Sequence, residues 1–265
     1  MNDIQPTMTD DDVMDFISKG YVVLERIIPE AVNRQYVNLP GGGVSEFVQT
    51  PEFRNAVLLN PEAAGAVRSL LGANFFVPVT GHHHLYEASH HGQSWHSDGL
   101  SEYGYGVNHL QCYYYPQDVE LEDGPTMVLP GSHHRLVDRE AISHYGDIVG
   151  QVSLTVPAGT VAMTHYSIWH KAGPKLNDNR RGMIKYSYFR NNPPKRDWVT
   201  ESDDPPPYRN RSRHPYATEV EFYRDMVWER QTWAWMCGLE QTADVSHGAK
   251  LFMQVRPLNE FVRDA

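Results

Sequence analysis

From about residue 76 to residue 190 the chain is a succession of short apolar or alternating runs, each soon broken by Gly, Pro, Asn or Asp. That punctuation leaves no length for helices and is the pattern of an antiparallel sandwich or barrel. Helices are expected on either side of it. Thr9 followed by three aspartates offers N-cap chemistry and a first turn suited to the helix dipole, with Val13, Met14, Phe16 and Ile17 as an apolar face and Gly20 as the stop. Pro61 to Leu71 reads as a second helix, with Pro at its start and Gly72 after its end. Tyr21–Leu24 and Phe75–Val79 read as buried strands. In the segment 219–235, Phe222, Met226, Trp228 and Trp233 fall near helical spacing and predict a core-packing helix.

At 265 residues the chain is expected to form a single domain, 1–265, with a β core at about 76–190, a helical N-terminal part and an aromatic-rich C-terminal extension. No run approaches the roughly 18 to 20 apolar residues of a membrane span, and the polar start lacks the basic flank and apolar centre of a signal peptide. Cys112 and Cys237 are the only cysteines, which suits a reducing compartment and predicts no disulfide framework. These features lead us to expect a cytoplasmic protein that does not bind membranes, as a monomer or a homodimer. A net charge of −10 argues against nucleic acid as the main partner, because phosphate binding needs a basic surface. The basic cluster Arg209–His214 reads as a solvated loop, with a substrate-contacting lid as the alternative.

His96-Ser97-Asp98 carries the chemistry expected inside such a core. On a strand, residues i and i+2 point to the same side, so His96 and Asp98 can reach one ion. His170, which follows an apolar run farther on, can supply the second imidazole. Two imidazoles and one carboxylate on one face of an iron leave the opposite face open, as oxygen chemistry requires. His165 is the alternative to His170. The tracts His82–His84 and His90-His91 invite a metal reading, but alternation along a strand keeps adjacent residues from sharing one ion.

The order of motifs around this pair is more telling. After it come Cys112-Tyr-Tyr-Tyr-Pro, then Asp123-Gly-Pro leading into Val128-Leu-Pro-Gly-Ser-His133, then Val156-Pro-Ala-Gly-Thr-Val-Ala-Met ahead of His170-Lys-Ala-Gly-Pro, and finally Asn177-Asp-Asn-Arg-Arg-Gly-Met-Ile. With Phe16 to Pro29 as an opening helix and strand, this order resembles the phytanoyl-CoA dioxygenase family of Fe(II)/2-oxoglutarate oxygenases over about residues 10 to 190. The resemblance implies a mainly β protein with flanking helices around a double-stranded β-helix core, a jelly roll of cupin-like type. It implies Fe(II) held by His96, Asp98 and His170, with 2-oxoglutarate as co-substrate and O2 as oxidant. It also implies an arginine for the far carboxylate of 2-oxoglutarate, and here two are adjacent: Arg180, favoured by the family spacing and placed on one strand face with Gly182, Ile184 and Tyr186, and Arg181, facing the other way.

On a strand from Asn108 to Tyr115, Gln111, Tyr113 and Tyr115 share a face; Tyr113 matches a position where the family often places a co-substrate-facing residue, with a plain packed aromatic as the alternative, and Gln111 beside it is a further candidate contact. His133 in the Pro-Gly-Ser-His turn reads as structural rather than catalytic. The expected reaction is hydroxylation of an unactivated C–H bond of a small molecule, with release of succinate and CO2. A carboxylate at position 98 leaves no vacancy for a halide on the metal, and desaturation or ring formation stays open. So do two other classes: a cupin-like metal enzyme that uses no 2-oxoglutarate, and a non-catalytic double-sheet binding module. Tyr103, Tyr105, His144, Tyr145 and residues 195–215 are expected at the pocket rim, and the substrate itself is not specified.

Overall fold

A computed structural model describes residues 4–41, 44–98, 106–135, 137, 141–210 and 213–239. Helix α1 (Asp10–Lys19) begins where Thr9 and Asp12 form a reciprocal capping box. It ends at Gly20, whose positive φ of 79° closes the helix; a Cβ there would lie 2.4 Å from the His133 ring. Strand β1 (Tyr21–Leu24) follows at once, then α2 (Glu30–Tyr36), the short β2 (Val44–Ser45) and a one-turn α3 (Pro51–Phe53) that runs into a π-turn through Leu58. Helix α4 (Pro61–Leu71) starts at Asn60, whose side chain accepts from the Glu62 and Ala63 amides.

The body consists of β3 (Gly81–Tyr86), β4 (His109–Tyr115), β5 (Thr126–Val128), β6 (Val152–Ser153), β7 (Thr160–His165), β8 (His170–Ala172) and β9 (Arg181–Phe189). They form two antiparallel sheets, one ordered β1-β7-β4-β9-β3-β2 and one ordered β6-β5-β8. This is a mainly β fold with flanking helices and a jelly-roll core. Helix α5 (Glu219–Met236), opened by a Thr218–Glu221 capping box, packs on α1. No helix among the described residues is long and apolar enough to cross a membrane.

Strand alternation divides the interior. Leu110, Cys112 and Tyr114 of β4, with Ile184, Tyr186 and Tyr188 of β9, face the helices, where they join Val13, Phe16, Phe53, Val67 and Leu70 in one core. Phe53 sits edge-on against Tyr36, Phe47, Tyr114 and Tyr186. The alternate residues Tyr113, Tyr115, Ala162 and Met183 face the smaller sheet and pack on Val128, Leu154, Val156 and Ile168. Any polar side chain on that second face is therefore held between the two sheets.

The expected strand at Phe75–Val79 is corrected: strand β3 begins only at Gly81, after a segment joined to the sheet by a single bridge from Phe76 to Phe189. Pro78 has no amide hydrogen to give a ladder, and Phe76 and Val79 are exposed. The polar-looking His82–His84 run occupies the strand instead. Residues 195–210, expected at the pocket rim, lie against the helices. Arg196 and the Trp198 indole bond Asp10, Arg68 bonds Asp197, and the Trp233 indole donates to Pro206. Arg209 is exposed, whereas His214, at the end of the same basic cluster, is buried with its ring bonded to the Ser18 carbonyl.

Candidate active site

His96, Asp98 and His170 converge between the sheets, with one ligand atom of each within 4.8 Å of the others, and no other cluster of this kind occurs among the described residues. Two antiparallel backbone hydrogen bonds, His96 N to His170 O at 3.1 Å and His170 N to His96 O at 2.9 Å, staple the chain before Asp98 onto β8. The imidazole centroids lie 4.5 Å apart. Each ring donates Nδ1–H to the carbonyl two residues earlier, His96 to Ser94 at 2.8 Å and His170 to Ile168 at 3.1 Å. A carbonyl can only accept, so the proton is fixed on Nδ1 and the Nε2 lone pair of each ring is free. Both Nε2 atoms lie 3.7 Å from an Asp98 carboxylate oxygen.

Burial opposes ionisation of Asp98, but His170, the Lys185 ammonium and the amide of Gln111 outweigh it and hold the carboxyl well below the usual carboxylate range. Burial lowers His170 to about 4, Asp98 offsetting part of that effect. The result is an anionic carboxylate beside a neutral imidazole, the protonation a divalent metal needs. Metal bonds of about 2.0–2.2 Å would require the 3.7 Å separations to close by less than roughly an ångström, within reach of side-chain movement. The residues fit a facial two-histidine, one-carboxylate metal site.

The triad opens into a pocket of about 210 Å3. Arg181 closes its far end: the side chain is buried, donates to Thr126 Oγ1 at 3.2 Å and lies over the Tyr86 and Tyr115 rings, while its Nε has no partner. His82 and His84 line the same space. The His84 Nε2 is buried without a partner, and burial together with the nearby His82 ring lowers that imidazole to about 3. Tyr113 also faces the pocket and donates its hydroxyl to the side-chain oxygen of Gln111, and the Nε2 of Gln111 in turn donates to Asp98. Gln111 thus braces the carboxylate.

The structure does not bring Arg180 to this pocket. The two arginines do face opposite ways, but β9 pairs Tyr86 with Arg181, so Arg181, Met183 and Lys185 turn toward the pocket and Gly182, Ile184 and Tyr186 toward the helices. Arg180 turns outward to Glu87 at 2.6 Å and to the backbone of Val37 and Leu39. His165 and His133 lie together with ring centroids 5.0 Å apart, in a separate group where the His133 ring bonds the Ile17 carbonyl. His90 packs at a tilt against Tyr86 and accepts from the Gly92 amide. His144 and Tyr145 are exposed, their rings tilted against each other. Tyr103 and Tyr105 fall outside the described residues.

Lys185 was not foreseen. Its Nζ lies 2.6 Å from Asp98 Oδ2. Nothing in the linear pattern marks it, because only the register of β9 against β3 and β4, opposite His82 and Tyr113, brings it to the triad.

A family model described as phytanoyl-CoA dioxygenase (PhyH) matches residues 41–183. A search of curated proteins finds no significant match. Among solved structures, EctD from S. alaskensis with bound Fe is 20% identical, with a TM-score of 0.55 over 72% of this chain and 79% of that one. HygX from Streptomyces hygroscopicus with nickel and 2-oxoglutarate bound is 14% identical, with a TM-score of 0.55 over 75% of this chain and 94% of that one. SnoK, a non-haem alpha-ketoglutarate-dependent carbocyclase from nogalamycin biosynthesis, is 21% identical, with a TM-score of 0.54 over 70% of this chain and 87% of that one. At these identities the likeness is one of fold.

Proposed function

This chain belongs to the phytanoyl-CoA dioxygenase family of enzymes, and on that premise we propose that it is an Fe(II)- and 2-oxoglutarate-dependent oxygenase acting on a small molecule. The observation that carries the reading is the joint presence, in one pocket between the sheets, of three converging ligand atoms and a buried arginine with an unpartnered Nε. His96, Asp98 and His170 hold the metal. Arg181 receives the far carboxylate of 2-oxoglutarate, since a guanidinium presents two parallel donors in the plane of a carboxylate. His84 and Tyr113 flank the co-substrate, and Gln111 keeps Asp98 aimed at the metal.

Iron with 2-oxoglutarate and dioxygen supplies the oxidising power, releasing succinate and CO2. The role of the chain is to fix the donors, keep His170 neutral and exclude water from a site buried between two sheets. Hydroxylation is the outcome we favour, with Asp98 filling the position a halide would need. The carbocyclase among the similar folds shows that one scaffold can direct the same oxidant to other products.

Anaerobic titration of Fe(II)-loaded protein with 2-oxoglutarate tests the proposal. A visible charge-transfer band of the chelated keto acid is expected, followed by succinate release on exposure to air. Metal uptake without the band would sink the 2-oxoglutarate assignment, and failure to take up metal would sink the oxygenase.

A further inference from the structure

Lys185 stands where two spaces meet. The metal pocket shares His82, Asp98 and Lys185 with an open groove of about 630 Å3. That groove runs over Phe76, Val77, Val79 and Phe189, residues that are 55%, 37%, 62% and 45% exposed. A flat wall adjoins them, in which the His109 ring stacks between Tyr166 at 3.6 Å and Phe189 at 4.1 Å. Four uncovered apolar side chains beside a stacked wall form a surface that gains by contact with an apolar ring.

The groove also has a charged end. Asp98 is its only lining carboxylate among the described residues, facing the Lys185 ammonium and the His82 ring. A metal on Asp98 would draw on that carboxylate and leave the ammonium with a weakened counter-ion. The far carboxylate of the co-substrate, held at Arg181, does not replace it. Arg181 and Lys185 are four residues apart on one strand, roughly 13 Å at the usual rise. A five-carbon diacid bound to the metal and to Arg181 therefore lies toward the deep end, and Lys185 is left facing the groove.

Resting on the oxygenase reading above, we infer that the substrate is an apolar, ring-bearing carboxylate that lies along this groove with its acid group paired to Lys185. The pairing sets the carbons next to the acid against the metal triad. It also selects against neutral analogues of the same shape, because an ammonium at a partly buried site whose one carboxylate partner is shared with a metal favours an anion over an amide.

The test uses protein loaded with redox-inert Zn(II) and 2-oxoglutarate, whose uptake is measured first. 2-Naphthylacetate and its neutral amide are then titrated by calorimetry into the wild type, Lys185→Met and Lys185→Arg. The readout is the ratio of the two dissociation constants, which a general loosening of the site would not move. The wild type is expected to favour the acid by about tenfold or more, Lys185→Arg to keep most of that preference, and Lys185→Met to bind acid and amide alike. Equal binding by the wild type, no binding of the acid at millimolar concentration, or a preference that survives Lys185→Met would each overturn the inference. A wild type that takes up neither metal nor 2-oxoglutarate would overturn the oxygenase reading and this inference together. Uptake of both without acid preference would overturn the inference alone.

Discussion

Arg180 and Arg181 are chemically identical neighbours in opposite surroundings, one paired with Glu87 at the surface and the other buried with a donor unsatisfied. A buried guanidinium without a carboxylate is costly unless a ligand supplies one. Arg181→Met is therefore expected to raise the dissociation constant for 2-oxoglutarate by about 100-fold or more, the loss of a bidentate charged contact. Arg180→Ala should leave it within about twofold, since exposed pairs contribute little. Calorimetry on the metal-loaded protein checks both, and an equal loss in the two variants would refute the assignment. Asp98→Ala removes a metal ligand and strands Lys185 without its partner; metal affinity should fall by more than the 10- to 100-fold typical of losing a ligand's supporting hydrogen bond. Elemental analysis after desalting reads it directly. The pairing of His96 with Asp98 was legible in the sequence because i and i+2 on an extended chain share a side, whereas His170 as their partner came from the order of motifs around them. Which arginine faces inward was not legible, because alternation separates 180 from 181 without saying which of the two sheet faces meets the partner sheet.

At the scale of elements, three helices carried their own punctuation: Thr9 and Gly20 bound α1, Pro61 and Gly72 bound α4, and the aromatic spacing foretold α5. Strands carried less. Phe75–Val79 has strand composition but contains Pro78, while β3 is built on three histidines whose burial depends on where the neighbouring strands lie. The packing of α5 on α1 also creates a buried acid with no counterpart in the sequence pattern. Glu229 is fully buried on α5, accepting from Tyr208 at 2.9 Å and Asn210 at 2.6 Å, with the His134 ring 3.8 Å away and Asp225 one turn earlier. Burial, reinforced by Asp225 and only partly offset by those hydrogen bonds, raises its carboxyl from 4.5 to about 7. The folded state thus holds a proton that the unfolded chain releases between pH 4.5 and 7, so this residue's contribution is present below pH 4.5 and is lost as the pH climbs to 7. Glu229→Gln, which keeps an acceptor for Tyr208 and Asn210, should remove that slope. Denaturant unfolding at pH 5 and pH 8 is expected to show the variant gaining on the order of 2 to 3 kcal/mol relative to wild type across the interval. Parallel curves for the two proteins would contradict the raised pKa.

For the whole molecule, the triad is a junction between sheets as well as a site. His170 lies on β8 of the smaller sheet, and Asp98 is tethered to the larger one by Gln111 of β4 and Lys185 of β9. His96 is stapled to β8 through its backbone. A metal that takes all three would tie the open end of the jelly roll across its two layers. His170 is distant from Asp98 in the chain, so the unfolded state offers no comparable site, and binding energy becomes folding energy. The Lys185 ammonium, 2.6 Å from Asp98, gives that carboxylate a cationic partner of the protein's own. Metal should therefore raise stability without being required for folding. At a hundredfold excess over the dissociation constant the linkage gain is about 2.7 kcal/mol, and at about 2–4 °C per kcal/mol for a chain of this size it corresponds to a rise of roughly 5–10 °C in Tm. Adding Ni(II) to chelator-treated wild type should give that rise, and EDTA should reverse it. In His170→Ala the same addition should leave Tm unmoved, because the remaining pair, two residues apart, is as available to the ion in the unfolded chain as in the folded one. A Ni(II)-dependent rise that persists in His170→Ala would place the ion elsewhere on the molecule.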